Sequence, residues 1–139
     1  MKNLATLILP LLLLVLIVGT LDATVIKDKP TASSSNGNVY VSWSTISESN
    51  VLRFEVFRAQ VIKNVIGDFA KVGSVDPQGP GRPYEFIDKN VFKTTGSVFA
   101  YKVRVVFQDE TSSDSEVTTT AVLSSTFKQT WGSIKALFR

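Results

Sequence analysis

Asn38–Arg58 reads NVYVSWSTISESNVLRFEVFR, and this stretch decides the fold. Val39, Val41 and Trp43 alternate with Tyr40, Ser42 and Ser44; a polar turn follows; then Phe54 and Val56 alternate with Glu55 and Phe57. Successive side chains of a strand point to opposite faces, so a period of two marks half-buried strands. Two such runs around a polar turn predict paired strands. Trp43 shares its face with Val39 and Val41, which predicts an indole packed in a core rather than a platform for sugars. Tyr40, on the opposite face, is the aromatic left nearer to solvent.

Working outward, the chain reads as short strands divided by turn chemistry. Thr24–Lys27 is the first expected edge strand, ended by Pro30 and a loose turn over Ser33–Gly37. Val39–Ser44 and Leu52–Ala59 follow, with Ser47–Asn50 as the turn between them. Phe69–Val75 is the fourth, and the prolines and glycines of Gln78–Pro83 then exclude a strand. Tyr84–Asp88 is the fifth. Val98–Gln108 is the longest, with Phe99, Tyr101, Val103, Val105 and Phe107 on one face. Glu116–Leu123 closes the set after the polar turn Asp109–Ser115. Seven strands at this spacing predict an all-β, seven-stranded antiparallel two-sheet sandwich.

The span from Thr24 to Leu123 resembles a fibronectin type III domain, which implies an immunoglobulin-like sandwich. Trp43 sits where such domains carry the buried second-strand tryptophan. Phe54–Arg58 resembles the third-strand consensus and Phe99–Phe107 the sixth. The run Trp43–Asn50 leading into Phe54–Val56 resembles a version common in bacterial surface and secreted proteins. The family's corner tyrosine aligns with either Phe99 or Tyr101.

The N-terminus reads as an export signal. Lys2 precedes an apolar run, Leu4–Val18, broken only by Thr6 and Pro10. This is the layout of a signal peptide over residues 1–23, with an uncleaved anchor as the rival because Leu4–Leu21 approaches the roughly 20 residues that span a bilayer. The expected organisation is therefore signal 1–23, β-domain 24–123 and tail 124–139. A folded part of roughly 115 residues buries about two thirds of its unfolded surface and needs no disulfides. That agrees with a chain that has no cysteine but nine Phe, three Tyr and two Trp. No Asn-x-Ser/Thr acceptor is present. The net charge of +3 is mild and scattered, so no nucleic-acid partner is expected.

Catalytic chemistry finds little support in the sequence. Without His or Cys, neither the usual transition-metal ligands nor Ser/His and Cys/His pairs can be assembled. Carboxylates could pair as in glycoside hydrolysis, but Asp109, Glu110, Asp114, Glu116 and Glu48 fall in turns, where they read as solvated groups. The Asp109–Glu116 group lacks a recognised calcium loop. No catalytic residue, cofactor or metal is expected, and the chain is read as not an enzyme.

Surfaces and ends are what remain to interact. With Phe54 and Val56 inward, Arg53, Glu55 and Phe57 face outward, as do Lys102, Arg104 and Val106 on the longest strand. Glu55 is expected near Lys102 or Arg104, with Phe57 as an apolar member of a mixed face. Val61, Ile62, Val65 and Ile66 are apolar where loops are polar. They either fold back over the sheet edge or extend the hairpin to an adhesive tip at Lys63-Asn64. In the tail, Phe127, Trp131, Ile134 and Phe138 recur at helical spacing beside Lys128, Lys135 and Arg139, which predicts a short amphipathic helix seeking a protein or membrane surface. The expected function is a secreted or cell-envelope binding or adhesion module whose partner is a protein or glycan. A structural subunit of a surface assembly, attached through the tail, is the alternative. In both, the chain works outside the cytoplasm.

Overall fold

The computed structural model describes residues 24–89, 91, 97–122 and 137. Among them nine strands form: β1 (Thr31–Ser35), β2 (Asn38–Ser44), β3 (Val51–Ile62), β4 (Val65–Ile66), β5 (Ala70–Val75), β6 (Pro83–Asp88), β7 (Ser97–Phe107), β8 (Ser112–Asp114) and β9 (Thr118–Val122). The expected signal segment, and the expected helix bearing Phe127, Trp131, Ile134 and Phe138, lie outside the described residues. No helix among the described residues is long and apolar enough to cross a membrane.

The strands make two antiparallel sheets. One has the order β1-β2-β6; the other has β4-β3-β7-β8, with β5 also on β3 and β9 also on β7. Alternation explains the layering. Val39, Val41 and Trp43 of β2 and Tyr84 of β6 face Phe54 and Val56 of β3 and Phe99, Tyr101, Val103 and Val105 of β7. Trp43 is only 5% exposed, stacks on its cross-strand partner Tyr84 at 5.2 Å and meets Phe54 edge-on at 5.9 Å. Its indole Nε1 is the one buried side-chain polar atom among the described residues without a hydrogen-bond partner. The residue is there for packing. Gly73 of β5 lies where the two sheets approach closely, because a Cβ at that position would meet the Phe86 ring of β6.

Three expectations about strands are corrected. Thr24–Lys27 is not a strand; it makes one bridge, Ile26 to Thr45, flanked by Lys27 N–H to Ser44 O and Ile46 N–H to Val25 O. The edge strand lies instead at Thr31–Ser35, overlapping at Ser33–Ser35 what read as a loose turn. Asn36 and Gly37 both take positive φ (50° and 77°), the geometry of a tight two-residue hairpin turn, so the serines before it pair with β2. The count rises from seven to nine through β4 and β8. β4 forms because the hairpin is extended rather than folded back: Lys63 and Asn64 turn with φ of 51° and 64°, and Val61 and Ile62 pair with Ile66 and Val65. β8 arises inside the expected polar turn, where Asp114 pairs with Arg104 across the sheet.

Candidate functional site

Both ends of the sandwich are fastened by polar clusters. At the Trp43 end, Glu48 Oε1 accepts from the Tyr84 hydroxyl (2.6 Å) and the Thr45 hydroxyl (2.7 Å), and Oε2 accepts from Gly79 N–H (2.8 Å). Gln78 N–H in turn donates to the Tyr84 hydroxyl, so the proline- and glycine-rich loop is tied down over the ring stack. Burial pushes the Glu48 carboxyl up, but the hydrogen bonds from Tyr84, Thr45 and Gly79 outweigh it and hold the group below its ordinary value. At the other end, Asp88 accepts from the buried Tyr101 hydroxyl (2.9 Å) and pairs with Arg58 (2.8 Å), whose guanidinium lies over the Phe99 ring. Burial, then the bond to Asp88, pushes the Tyr101 hydroxyl well up. These clusters serve the fold.

The outer face of the larger sheet is different. Register places Glu55 opposite Arg104 and Phe57 opposite Lys102, as the face assignment expects. The ion pairs, however, differ from the expected ones. Glu55 Oε1 is held by Arg53 Nε (2.8 Å) and Lys71 Nζ (2.7 Å), while Arg104 and Lys102 both hold Asp114 (2.6 and 2.7 Å). Phe57 is half-buried beneath Arg104 (4.6 Å to the ring centre) and Lys102 (5.7 Å), and Lys102 also lies 4.7 Å from the Phe69 ring. Lys71, donating to Glu55, and then Arg53 hold that carboxyl below its usual range. Asp114 is pushed down to about 2, chiefly by Arg104. The bulge between Val56 and Phe57 brings β5 into line so that Lys71 reaches Glu55. Lys71, Phe69 and Asp114 were not among the residues expected here.

The outer face of the smaller sheet carries Tyr40, Ser42 and Ser44 beside Glu85 and Ile87, with no cation on its strands. A cleft of about 330 Å³ lies between the Thr24–Lys29 segment and the ends of β7 and β8, where Ser113, Asp114 and Glu116 contribute. No group of His, Cys, Asp or Glu among the described residues is arranged to hold a metal. At the hairpin tip, Val61 is half-buried between Val98 and Ile66, whereas Ile62, Val65 and Ile66 are 60%, 67% and 43% exposed. Arg53, Phe57, Lys102 and Arg104 thus share one face, Val61 and Ile62 sit apart at the tip, and the four tail residues fall outside the described chain.

No family model matches the chain, and no curated protein matches it. Solved structures do. Pectate lyase Pel3 from Pectobacterium carotovorum matches at 22% identity with a TM-score of 0.49, over 69% of this chain and 27% of that one. Pectate lyase PelI from Erwinia chrysanthemi, in complex with tetragalacturonic acid, matches at 24% identity with a TM-score of 0.46, over 67% of this chain and 28% of that one. The chain therefore spans about a quarter of the length of these lyases. The sensor domain of the anti-sigma factor RsgI4 from Pseudobacteroides cellulosolvens matches at 11% identity with a TM-score of 0.50, over 71% of this chain and 95% of the domain. The expectation that the chain is not an enzyme is corrected on these matches: proteins that share part of its shape are enzymes, and the exclusion of an enzymatic role is withdrawn. At this identity the likeness shows the fold alone, an all-β, sandwich-like domain.

Proposed function

We propose that this chain is a fibronectin type III-like binding module of the cell surface or secreted fraction, and that it engages its partner through the outer face of the larger sheet. The fold assignment is supported by a three-stranded sheet packed on a larger one, with Trp43 buried on the second strand and Phe54–Arg58 on the third. The export-type N-terminus supports work outside the cytoplasm. The observation that carries the choice of surface is the cluster of four cations, Arg53, Lys71, Lys102 and Arg104, against two carboxylates on one sheet face. Retention of the purified chain on envelope and extracellular-matrix fractions tests it. Exchanging Arg53 and Arg104 for Glu is expected to reduce retention at least tenfold while the near-UV spectrum stays unchanged. Undiminished retention refutes this choice of surface.

A second reading, attachment within a surface assembly, draws on the opposite kind of feature. Pairing of Val61 with Val98 and of Val98 with Ala121 puts the end of β9 and the exposed apolar hairpin tip at the same end of the larger sheet, with β7 between them. Val122, the last residue of β9, thus lies at the same end of the larger sheet as Ile62, Val65 and Ile66, which are open to solvent. On this reading the chain self-associates in sedimentation, and exchanging the three tip residues for Thr abolishes it. A monomer at all concentrations rules the assembly out.

A further inference from the structure

We infer that the outer face of the larger sheet binds an acidic polysaccharide, a chain of uronate sugars, through Arg53, Lys71, Lys102 and Arg104; the inference rests on the reading that this face is the partner surface. The charges are unevenly matched. Arg53 and Lys71 share one oxygen of Glu55, and Lys102 and Arg104 share Asp114, so each carboxylate answers two cations and the face keeps an excess of two positive charges. Among the described residues Arg53 spends only its Nε on Glu55, and Arg104 spends Nε and Nη2 on Asp114. Both terminal nitrogens of Arg53, Nη1 of Arg104 and the remaining protons of Lys71 are left to donate outward. Three of the side chains are accessible, at 40% for Arg53, 45% for Lys71 and 33% for Arg104, whereas Lys102, at 16%, contributes charge from beneath them.

They are also held in place before any ligand arrives. Glu55 is itself nearly buried at 7%, and the rings of Phe57 and Phe69 lie under Arg104 and Lys102. Cations fixed by ring contacts and a buried carboxylate lose less side-chain freedom on binding than free surface lysines do. Lys71, Arg53 and Arg104 stand on three neighbouring strands whose axes are about 4.8 Å apart, at staggered positions along them: Lys71 lies opposite Phe57, Arg104 opposite Glu55 and Arg53 opposite Val106. A polymer with a carboxylate on each sugar ring can meet cations staggered across the face at more than one point, and its hydroxyls suit the spare donors.

An acidic peptide fits less well. Peptide and protein recognition concentrates in apolar anchors that fill pockets. Here both rings are already covered by cations, and the cleft beside Thr24–Lys29 meets this face at Asp114, which Lys102 and Arg104 already hold.

Affinity electrophoresis of the full chain in gels containing polygalacturonate, its fully methyl-esterified form or poly-glutamate tests the assignment. Polygalacturonate is expected to retard the protein in low salt, with retardation falling steeply as salt rises. The ester and poly-glutamate are expected to bind at least tenfold more weakly. Arg53→Gln with Arg104→Gln should lower polygalacturonate affinity at least tenfold. Lys71→Gln, at an exposed position, should lower it a few-fold, and Glu85→Gln on the opposite face should leave it unchanged. Absence of retardation in low salt overturns the inference, as does binding of poly-glutamate equal to that of polygalacturonate. Retention on envelope fractions that depends on Arg53 and Arg104 but is not competed by polygalacturonate overturns the inference alone. Polygalacturonate binding that ignores all three cation variants overturns both the inference and the surface assignment beneath it.

Discussion

Replacing Glu48 by Ala should be among the costliest changes outside the apolar core. The carboxylate accepts from three donors at once: the Tyr84 hydroxyl, the Thr45 hydroxyl and Gly79 N–H. Gly79 sits in a partly exposed loop, so water can replace that bond. Tyr84 and Thr45 are each only 2% exposed, and their hydroxyls lose an acceptor where water has little access. An unpartnered buried polar group costs about 1–3 kcal/mol, so two of them with some relaxation give roughly 2–4 kcal/mol. In a domain near 100 residues, that lowers Tm by roughly 10–30 °C. Urea unfolding of the parent, Glu48→Ala, Tyr84→Phe and the double variant isolates the shared bond, since Tyr84→Phe removes the same donor without opening a cavity. A coupling of at least about 1 kcal/mol is expected, with m-values unchanged. The pH dependence gives a second handle. The folded carboxyl lies below its ordinary value of 4.5, so the unfolded chain takes up the proton first. The contribution is complete above that ordinary value and is lost as pH falls through the folded one; Glu48→Ala should flatten this part of the acid curve. Additivity within about 0.3 kcal/mol would show that the Glu48–Tyr84 bond does not exist in solution.

The remaining predictions concern the sheets, the far end and the tip. Gly73→Ala places a methyl against the Phe86 ring and should cost about 1–3 kcal/mol; an unchanged Tm refutes the close approach of β5 and β6. Tyr101→Phe should cost about 1–2 kcal/mol, and Asp88→Ala more, because it strands both the buried hydroxyl and Arg58; urea midpoints in the reverse order contradict the cluster. Asp114 titrates at about 2 when folded against an ordinary 3.8, so its contribution is present above pH 3.8 and lost as pH falls towards 2. With the side chain one-third exposed that contribution is under about 1 kcal/mol, and Asp114→Asn should remove it from the acid-unfolding curve. Ile62→Thr with Val65→Thr should change stability by no more than about 0.5 kcal/mol, since both side chains are mostly in solvent; a larger loss in urea unfolding means the tip is packed.

What could be read from the residues follows the strength of the alternation. Val39–Trp43 and Phe99–Phe107 carry large apolar side chains at every second position, and both runs face the core as their pattern requires. Thr31–Ser35 has no such pattern. It is a strand because Asn36-Gly37 can turn the chain back in two residues, a signal present in the sequence and outweighed by the run of serines. Ser112–Asp114 gave no local signal at all; it is extended because β7 lies alongside, with Arg104 and Lys102 placed to hold Asp114. The same dependence on register hid half of the outer face. Alternation alone puts Arg53, Phe57, Lys102 and Arg104 on one side, but which cation meets which carboxylate depends on a bulge after Val56 and on where β8 begins. Glu48 read as one more turn carboxylate, because nothing local announces that Gly79 and Tyr84 will converge on it.

The two outer faces of the sandwich received different chemistry from the same alternation, and that difference is what gives one of them a claim to recognition. On the smaller sheet, hydroxyl and mixed side chains such as Ser42, Ser44 and Tyr40 make a surface that water satisfies without help. On the larger sheet, four cations, two rings and two carboxylates are locked to one another across four strands. If the only purpose of that network were stability, one cation per carboxylate would serve, since exposed ion pairs add little and a second cation on the same oxygen adds repulsion. The surplus cations raise the cost of the unbound state slightly and lower the cost of meeting an anion. Removing the surplus alone makes the distinction measurable. Lys71→Gln leaves Arg53 on Glu55 and should leave the unfolding free energy from urea titration within about 0.5 kcal/mol of the parent, while weakening any anion bound at this face. A variant that lost several kcal/mol of stability instead would assign the second cation to the fold and take the argument for a binding surface with it.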